Sequence, residues 1–102
     1  MNEHPSTQLD KVLTQRARLG IVSILMVMEE TDFIYLKDKL KLTDGNLSTH
    51  LRLLEKGKYI RLRKIFIRNK PKTLCQITDR GRRAFSDHMD TLEKIIKDIP
   101  QK

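Results

Sequence analysis

The stretch Leu42-Thr43-Asp44-Gly45-Asn46-Leu47-Ser48-Thr49-His50-Leu51-Arg52-Leu53-Leu54-Glu55-Lys56 decides how this chain folds. Leu47, Leu51 and Leu54 stand at i, i+4 and i+7, the inward stripe of a helix over residues 45–56. That phase turns Asn46, Ser48, Thr49, Arg52 and Lys56 largely outward, a row of hydrogen-bonding and cationic side chains on one rigid element. Leu42 to Gly45 make a turn, in which Thr43 or Asp44 is placed to cap the first N–H groups of the helix. Just upstream, residues 34–40 form a two-turn helix: Leu36 and Leu40 lie four apart, while Lys37, Asp38, Lys39 and Lys41 mostly face water.

Downstream the period changes. Tyr59 to Arg68 is β-branched and aromatic, a strand with Ile60 and Leu62 in phase. Ile65 and Ile67 are out of phase with them, which predicts a bulge or strong twist near Arg63 and Lys64. Residues 68–72 make the turn, and residues 73–77 return as a second strand with Cys75 and Ile77 on one face. Thr78 caps a last helix over residues 79–98, roughly 30 Å long. Its stripe is Phe85, His88 or Met89, Leu92, Ile95 or Ile96, and Ile99. A domain this small cannot bury such a helix along its whole length, so the distal half calls for a second copy of the chain. Upstream, residues 9–30 read as one helix with Leu13, Ala17, Ile21, Ile24, Leu25 and Met28 at helical spacing. A second apolar set, Leu19, Val22, Met26 and Val27, requires that this helix be covered from more than one side. Residues 1–8 are polar, carry Pro5 and read as a flexible tail, leaving residues 9–99 as one domain.

Of 102 residues, 21 are Lys or Arg and 13 Asp or Glu, a formal balance of +8. Between Arg52 and Arg83 twelve cations face only Glu55 and Asp79, a local balance of +10, while the rest of the chain sums to −2. Such asymmetry suits an acidic polymer or surface as partner. With 38% hydrophobic residues the chain has material for a modest core and too much for a disordered chain. Cys75 is alone, so no intrachain disulfide forms, and with three scattered histidines it does not complete a structural zinc site. A reducing, cytoplasmic setting is the expectation. The first residues lack a positive leader, and Ser23 interrupts the longest apolar run, residues 21–28, so neither secretion nor membrane spanning is expected. Enzymatic chemistry has no visible constellation: Gly20, Gly45, Gly57 and Gly81 are isolated, and Ser48 and His50, two apart on a helix, do not face each other. No metal or cofactor is expected.

The order of helix, short helix, turn, polar-faced helix, basic hairpin and long helix looks like a winged helix-turn-helix, mainly α with a small β-hairpin wing. In that architecture Asn46, Ser48, Thr49, Arg52 and Lys56 would meet base edges in a major groove, and Arg68, Lys70 and Lys72 would lie on backbone or minor groove. Leu9-Asp10-Lys11-Val12-Leu13 with Arg18-Leu19-Gly20-Ile21, then Leu47-Ser48-Thr49-His50-Leu51-Arg52-Leu53-Leu54-Glu55, then Ile77-Thr78-Asp79-Arg80-Gly81-Arg82, resemble small winged-helix regulators related to the MarR and ArsR families. The resemblance spans about residues 9–97. It implies a homodimeric, sequence-specific regulator of transcription that binds double-stranded DNA, with terminal helices at the dimer interface. On the apolar stripes above, that interface is expected to take Leu19, Val22, Met26, Phe85, Met89, Leu92, Ile95, Ile96 and Ile99, and, with no stretch set aside for recruiting polymerase or for a sensor, repression by occlusion is the expected mode. Two departures stand out. Lys58, preceded by Gly57, occupies the place before the wing strand where the family often has glycine, which suggests a cap shifted by one residue. The paired cysteines or His/Asp clusters of metal-sensing ArsR relatives are missing. The alternatives are a winged-helix protein-interaction adaptor and an RNA-binding protein, the latter with only five aromatic residues to stack bases.

Overall fold

The structure is a computed structural model that describes residues 3–100. Its elements run α1 (Arg16–Met28), β1 (Glu30–Asp32), α2 (Phe33–Leu40), α3 (Asp44–Lys56), β2 (Ile60–Ile67), β3 (Lys70–Ile77) and α4 (Asp79–Lys97), after a short 3-10 turn at Pro5–Gln8. This is the expected winged helix-turn-helix with a long last helix. Leu13, Ile21, Leu25, Leu36, Leu47 and Leu54 are fully buried, and Ile60, Cys75 and Ile77 of the sheet close over them. α1 is covered from two sides, with Ala17, Ile21, Val22 and Leu25 buried and Leu19, Ile24 and Met26 half-buried.

Local chemistry sets the element boundaries. Asp32, Thr43 and Thr78 cap α2, α3 and α4, their side-chain oxygens accepting from the backbone N–H of Tyr35 at 2.8 Å, Asn46 at 3.1 Å and Gly81 at 3.0 Å. The first helix starts later than the 9–30 reading: Gln15 is extended and caps α1, and residues 11–14 form a separate turn. Asp10 causes that turn, its Oδ1 accepting from the N–H of Val12 and Leu13 at 2.8 and 3.2 Å. Leu13 still reaches the core, because one turn keeps it near the face of Ala17 four residues on. Within the stretch read as a tail, the Pro5–Gln8 turn lies against α4.

α1 ends at Met28, two residues before the 9–30 reading, and Glu30–Asp32 form β1. It adds a third strand, giving an antiparallel sheet of order β1-β3-β2. The expected bulge at Arg63 and Lys64 is not there: register is unbroken from Ile60 opposite Ile77 to Ile67 opposite Lys70. The phase slip has another cause. The inner half of the hairpin packs on the core through Ile60, Leu62 and Cys75, while the outer half runs beyond it, so alternation there is not under burial. The turn is also tighter than 68–72. Only Arg68 and Asn69 are outside strands, both with positive φ (52° and 64°), a two-residue hairpin loop whose twist matches the strands.

The α3 exit is not shifted. Gly57 keeps helical φ, and Lys58 itself takes the left-handed conformation at φ 65°. Tyr59 N–H donates to the Leu54 carbonyl and Lys58 N–H to that of Glu55, both at 2.9 Å, the paired bonds of a Schellman cap. Gly57 is needed for a different reason: a Cβ there would stand 2.7 Å from the Tyr59 ring. Gly81 is more constrained, since its Cβ would meet the Tyr59 carbonyl oxygen at 2.2 Å. Lys58→Gly is therefore expected to stabilise the fold by about 0.5–1 kcal/mol, and Gly81→Ala to destabilise it by more than about 2 kcal/mol. Denaturant unfolding at equal m-value measures both; a loss of stability in Lys58→Gly would contradict the cap.

Candidate nucleic-acid interface

α3 presents the face its leucine spacing foretold. Asn46, Thr49, Arg52 and Lys56 are exposed, and Ser48 is half-buried. Thr49 Oγ1 donates to the Gly45 carbonyl at 3.0 Å, which fixes its rotamer on the helix surface. Lys37 and Asp44 pair at 2.8 Å across the turn from α2, and the carboxylate raises the Lys37 pKa through a hydrogen bond and its charge. One flank of α3 is held from α1: Arg18 Nη1 lies 3.2 Å from His50 Nδ1, and Arg18 Nε donates to the Val12 carbonyl at 2.8 Å. His50, one turn after Asn46, thus ties α3 to α1 beside the exposed row.

The hairpin lies beside this helix. Ser48 and Arg52 of α3 share a groove with Leu62, Lys64 and Thr73 of the hairpin and with Phe33 of α2. Lys64 was not among the residues singled out from sequence. The signal was present: it follows Ile60 and Leu62 at period two, so the face that enters the core continues through Lys64 toward α3. The expected wing cations are all exposed, but they do not act alike. Arg68 is in the loop and Lys70 opens β3, whereas Lys72 Nζ pairs with Asp32 at 3.3 Å. Arg63 likewise pairs with Glu30 at 2.9 Å.

The geometry is that of a helix-turn-helix with a flanking basic hairpin, and a model of the winged helix DNA-binding domain matches residues 17–96. The chain belongs to that family. An uncharacterized protein of Methanocaldococcus jannaschii is 37% identical over 89 residues, covering 87% of this chain and 97% of its own. The structure of a transcriptional regulator homologue from Pyrococcus horikoshii superposes with a TM-score of 0.85 at 29% identity, over 95% of this chain and all of that one. The PcaV regulator of Streptomyces coelicolor, solved with its natural ligand, shares the fold at TM-score 0.69 and 14% identity, over 90% and 64% of the two chains. So does reduced AbfR bound to DNA, at 0.61 and 16%, over 90% and 66%. The resemblance to MarR-related regulators read from the sequence holds in the fold.

The remaining groups have structural roles. Cys75 is fully buried in β3, and desolvation, with Asp32 and Glu30 adding, pushes its thiol up to about 12. It packs as a small apolar residue. Among the described residues no cluster of three or more His, Cys, Asp or Glu is placed to hold a metal ion, and no helix is long and apolar enough to cross a membrane. His88 is buried in α4 and its Nδ1 accepts from the Asp10 N–H at 3.1 Å.

Two measurements follow from this chemistry. Cys75 should resist a thiol reagent in the native state and react only on unfolding; rapid native labelling would contradict its burial. Desolvation, and secondarily the Arg18 charge, lowers the His50 pKa below its usual value of about 6.5. The unfolded chain then takes up the proton first, so stability is lost as pH falls through the window just below about 6.5. Thermal midpoints from about pH 7 to about pH 5 should decline less in His50→Gln than in wild type; parallel declines would remove His50 from that role.

Proposed function

We propose that the protein is a homodimeric repressor of transcription that occupies a pseudo-palindromic operator in the cytoplasm. α3 enters the major groove and the hairpin follows the backbone or minor groove. The observation that carries this reading is the exposed row Asn46, Thr49, Arg52 and Lys56 on α3, whose Arg52 shares a groove with Lys64 of the hairpin that bears the exposed Arg68 and Lys70 at its tip. Asn pairs with adenine and Arg with guanine through two hydrogen bonds each, whereas the hairpin cations are suited to phosphates. Ser48, half-buried in the groove, is left to contact a neighbouring backbone, and Lys72 contributes less because Asp32 already holds it.

The second copy is supported by the far end of α4. Ile96, and Ile99 just beyond the helix, are 61% and 56% exposed, and Phe85, Met89, Leu92 and Ile95 along α4 are half-buried. Leu19 and Met26 of α1 are half-buried as well and available to the same interface. Val22 is not. It has no exposed surface because the protomer's own core covers it, which takes it off the set of interface residues read from the sequence. Half-sites centred about 34 Å apart, one helical turn, fit a two-fold dimer of this kind.

Titration into a duplex from the protein's own upstream region and into a shuffled one tests the reading. A preference of about 10³ or more is expected for the native duplex, with a log affinity against log salt slope of about −7 if each protomer neutralises about four phosphates. Arg52→Ala should cost about 1–3 kcal/mol on the native duplex and relax preference at one position per half-site, while Lys70→Ala should weaken both duplexes alike. Equal losses for both variants on both duplexes would assign Arg52 to phosphate, and a slope shallower than about −2 would sink the interface.

A further inference from the structure

The hairpin carries a feature that phosphate contacts do not need. On β2 the face bearing Ile60 and Leu62 continues at period two through Lys64 to Phe66. Phe66 is 71% exposed, and its cross-strand partner is the exposed Pro71. Because Ile67 and Lys70 close the two-residue loop as a hydrogen-bonded pair, Phe66 and Pro71 fall at a non-hydrogen-bonded pair, where side chains on one face come closest. Pro71 lies outside the segment of β3 that β1 covers, Leu74 to Gln76, so its missing N–H costs no ladder bond. The outcome is an apolar ridge near the hairpin tip, on the face that inward along the strand lines the groove with Ser48 and Arg52. Lys64, Arg68 and Lys70 surround it in sequence, and among the described residues none of the three has a carboxylate within ion-pair distance.

A phenylalanine held in water among cations is poorly explained by solubility or by packing. A polyanion whose charged rails enclose an apolar stack matches it: cations meet the phosphates and the ring meets sugars and base edges. Proteins that read the minor groove use Phe and Pro in this way, as wedges that partly unstack a base step and kink the duplex. We propose that Phe66, backed by Pro71, is an apolar wedge that enters the minor groove flanking the major-groove site of α3, so that the protein bends its DNA. The inference rests on the DNA-binding reading and gives it a second source of specificity. Flexible pyrimidine–purine steps at the flank yield to the wedge at lower cost than stiff A-tracts, and they are selected without any hydrogen bond to a base.

The test compares wild type with Phe66→Ala and Phe66→Leu on duplexes identical in the central site, with either a TA step or an A-tract at the flank. Bend angle is read by fluorescence transfer between the duplex ends and affinity by titration. Wild type should bend the TA duplex by an angle in the range of about 20–90° and prefer it roughly tenfold or more. Phe66→Ala should lose both the bend and the flank preference while keeping its melting temperature and salt slope, since the ring is exposed. Phe66→Leu, still a wedge, should keep part of the bend. A wild type that binds without bending, or an alanine variant that bends as well as wild type, overturns the wedge and leaves the DNA-binding reading standing. Absence of any duplex binding by wild type overturns both.

Discussion

Tyr59 is the residue through which the parts of this fold hold one another. Its hydroxyl donates to Asp10 Oδ2 at 2.7 Å, its ring lies under the Arg80 guanidinium at 5.0 Å, and its carbonyl accepts from the N–H of Thr78 at 3.1 Å and from the Thr78 hydroxyl at 3.0 Å. Burial, with the Asp10 hydrogen bond and charge adding, pushes its pKa up to about 12, so the phenol stays a donor at any physiological pH. The α3 cap, the β2 start, the α4 N-terminus and the N-terminal segment all converge there. This explains why glycine stands at 57 and 81: one yields space to the ring and the other to the carbonyl. A larger residue at either would force apart elements whose spacing also sets where α3 sits.

The same network joins the two ends of the proposed function. Asp10 is bonded to His88 on α4 and to Tyr59 at the α3 exit, and Val12, two residues on, accepts from Arg18, which also reaches His50 on α3. Residues 10–18 thus touch both the helix that carries the exposed polar and cationic row and the helix that carries the exposed apolar stripe. The contacts are hydrogen bonds of fixed direction, so α3 and α4 hold one orientation relative to each other. In a dimer such rigidity would carry the spacing of two α4 helices into the spacing of two α3 helices, the quantity an operator measures.

How much of this was legible follows from the range of each signal. α3, its inward leucines and its Thr43 cap were readable because helical spacing and capping act within a few residues, and the hairpin and α4 were readable for the same reason. β1 was not: Glu30-Thr31-Asp32 has no apolar alternation and is a strand only because β3 offers it an edge. The α1 start was misplaced because the carboxylate of Asp10 ends one turn before Gln15 starts the next, while the leucine period runs on undisturbed. Lys58 was read through the rule that left-handed positions go to glycine; here two backbone hydrogen bonds hold a lysine in that conformation. Phase along β2 misled in one direction and informed in another. It suggested a bulge where the strand only leaves the core, whereas the unbroken register carries the face of Ile60 and Leu62 on through Lys64 and Phe66, which the bulge reading hid.

Charge in this chain does two kinds of work, and the structure separates them. Glu29, Glu30 and Asp32, which stand in and beside β1, pair with Arg82, Arg63 and Lys72. Each pair is partly exposed and contributes little stability alone. Their effect is on direction: they draw three cations of the basic stretch onto the sheet and α4, at the side where β1 joins β3. Lys64, Arg68 and Lys70, in strand phase beside α3 or beyond the reach of β1, have no such partner among the described residues. The hairpin tip and the outer face of α3 thereby keep cations that no carboxylate offsets, as do Lys58, Arg61, Arg80 and Arg83 among the described residues. The local balance of +10 in sequence thus overstates the unpaired charge, because the acidic residues in and beside β1, which sequence periodicity passed over, hold three of those twelve cations in ion pairs.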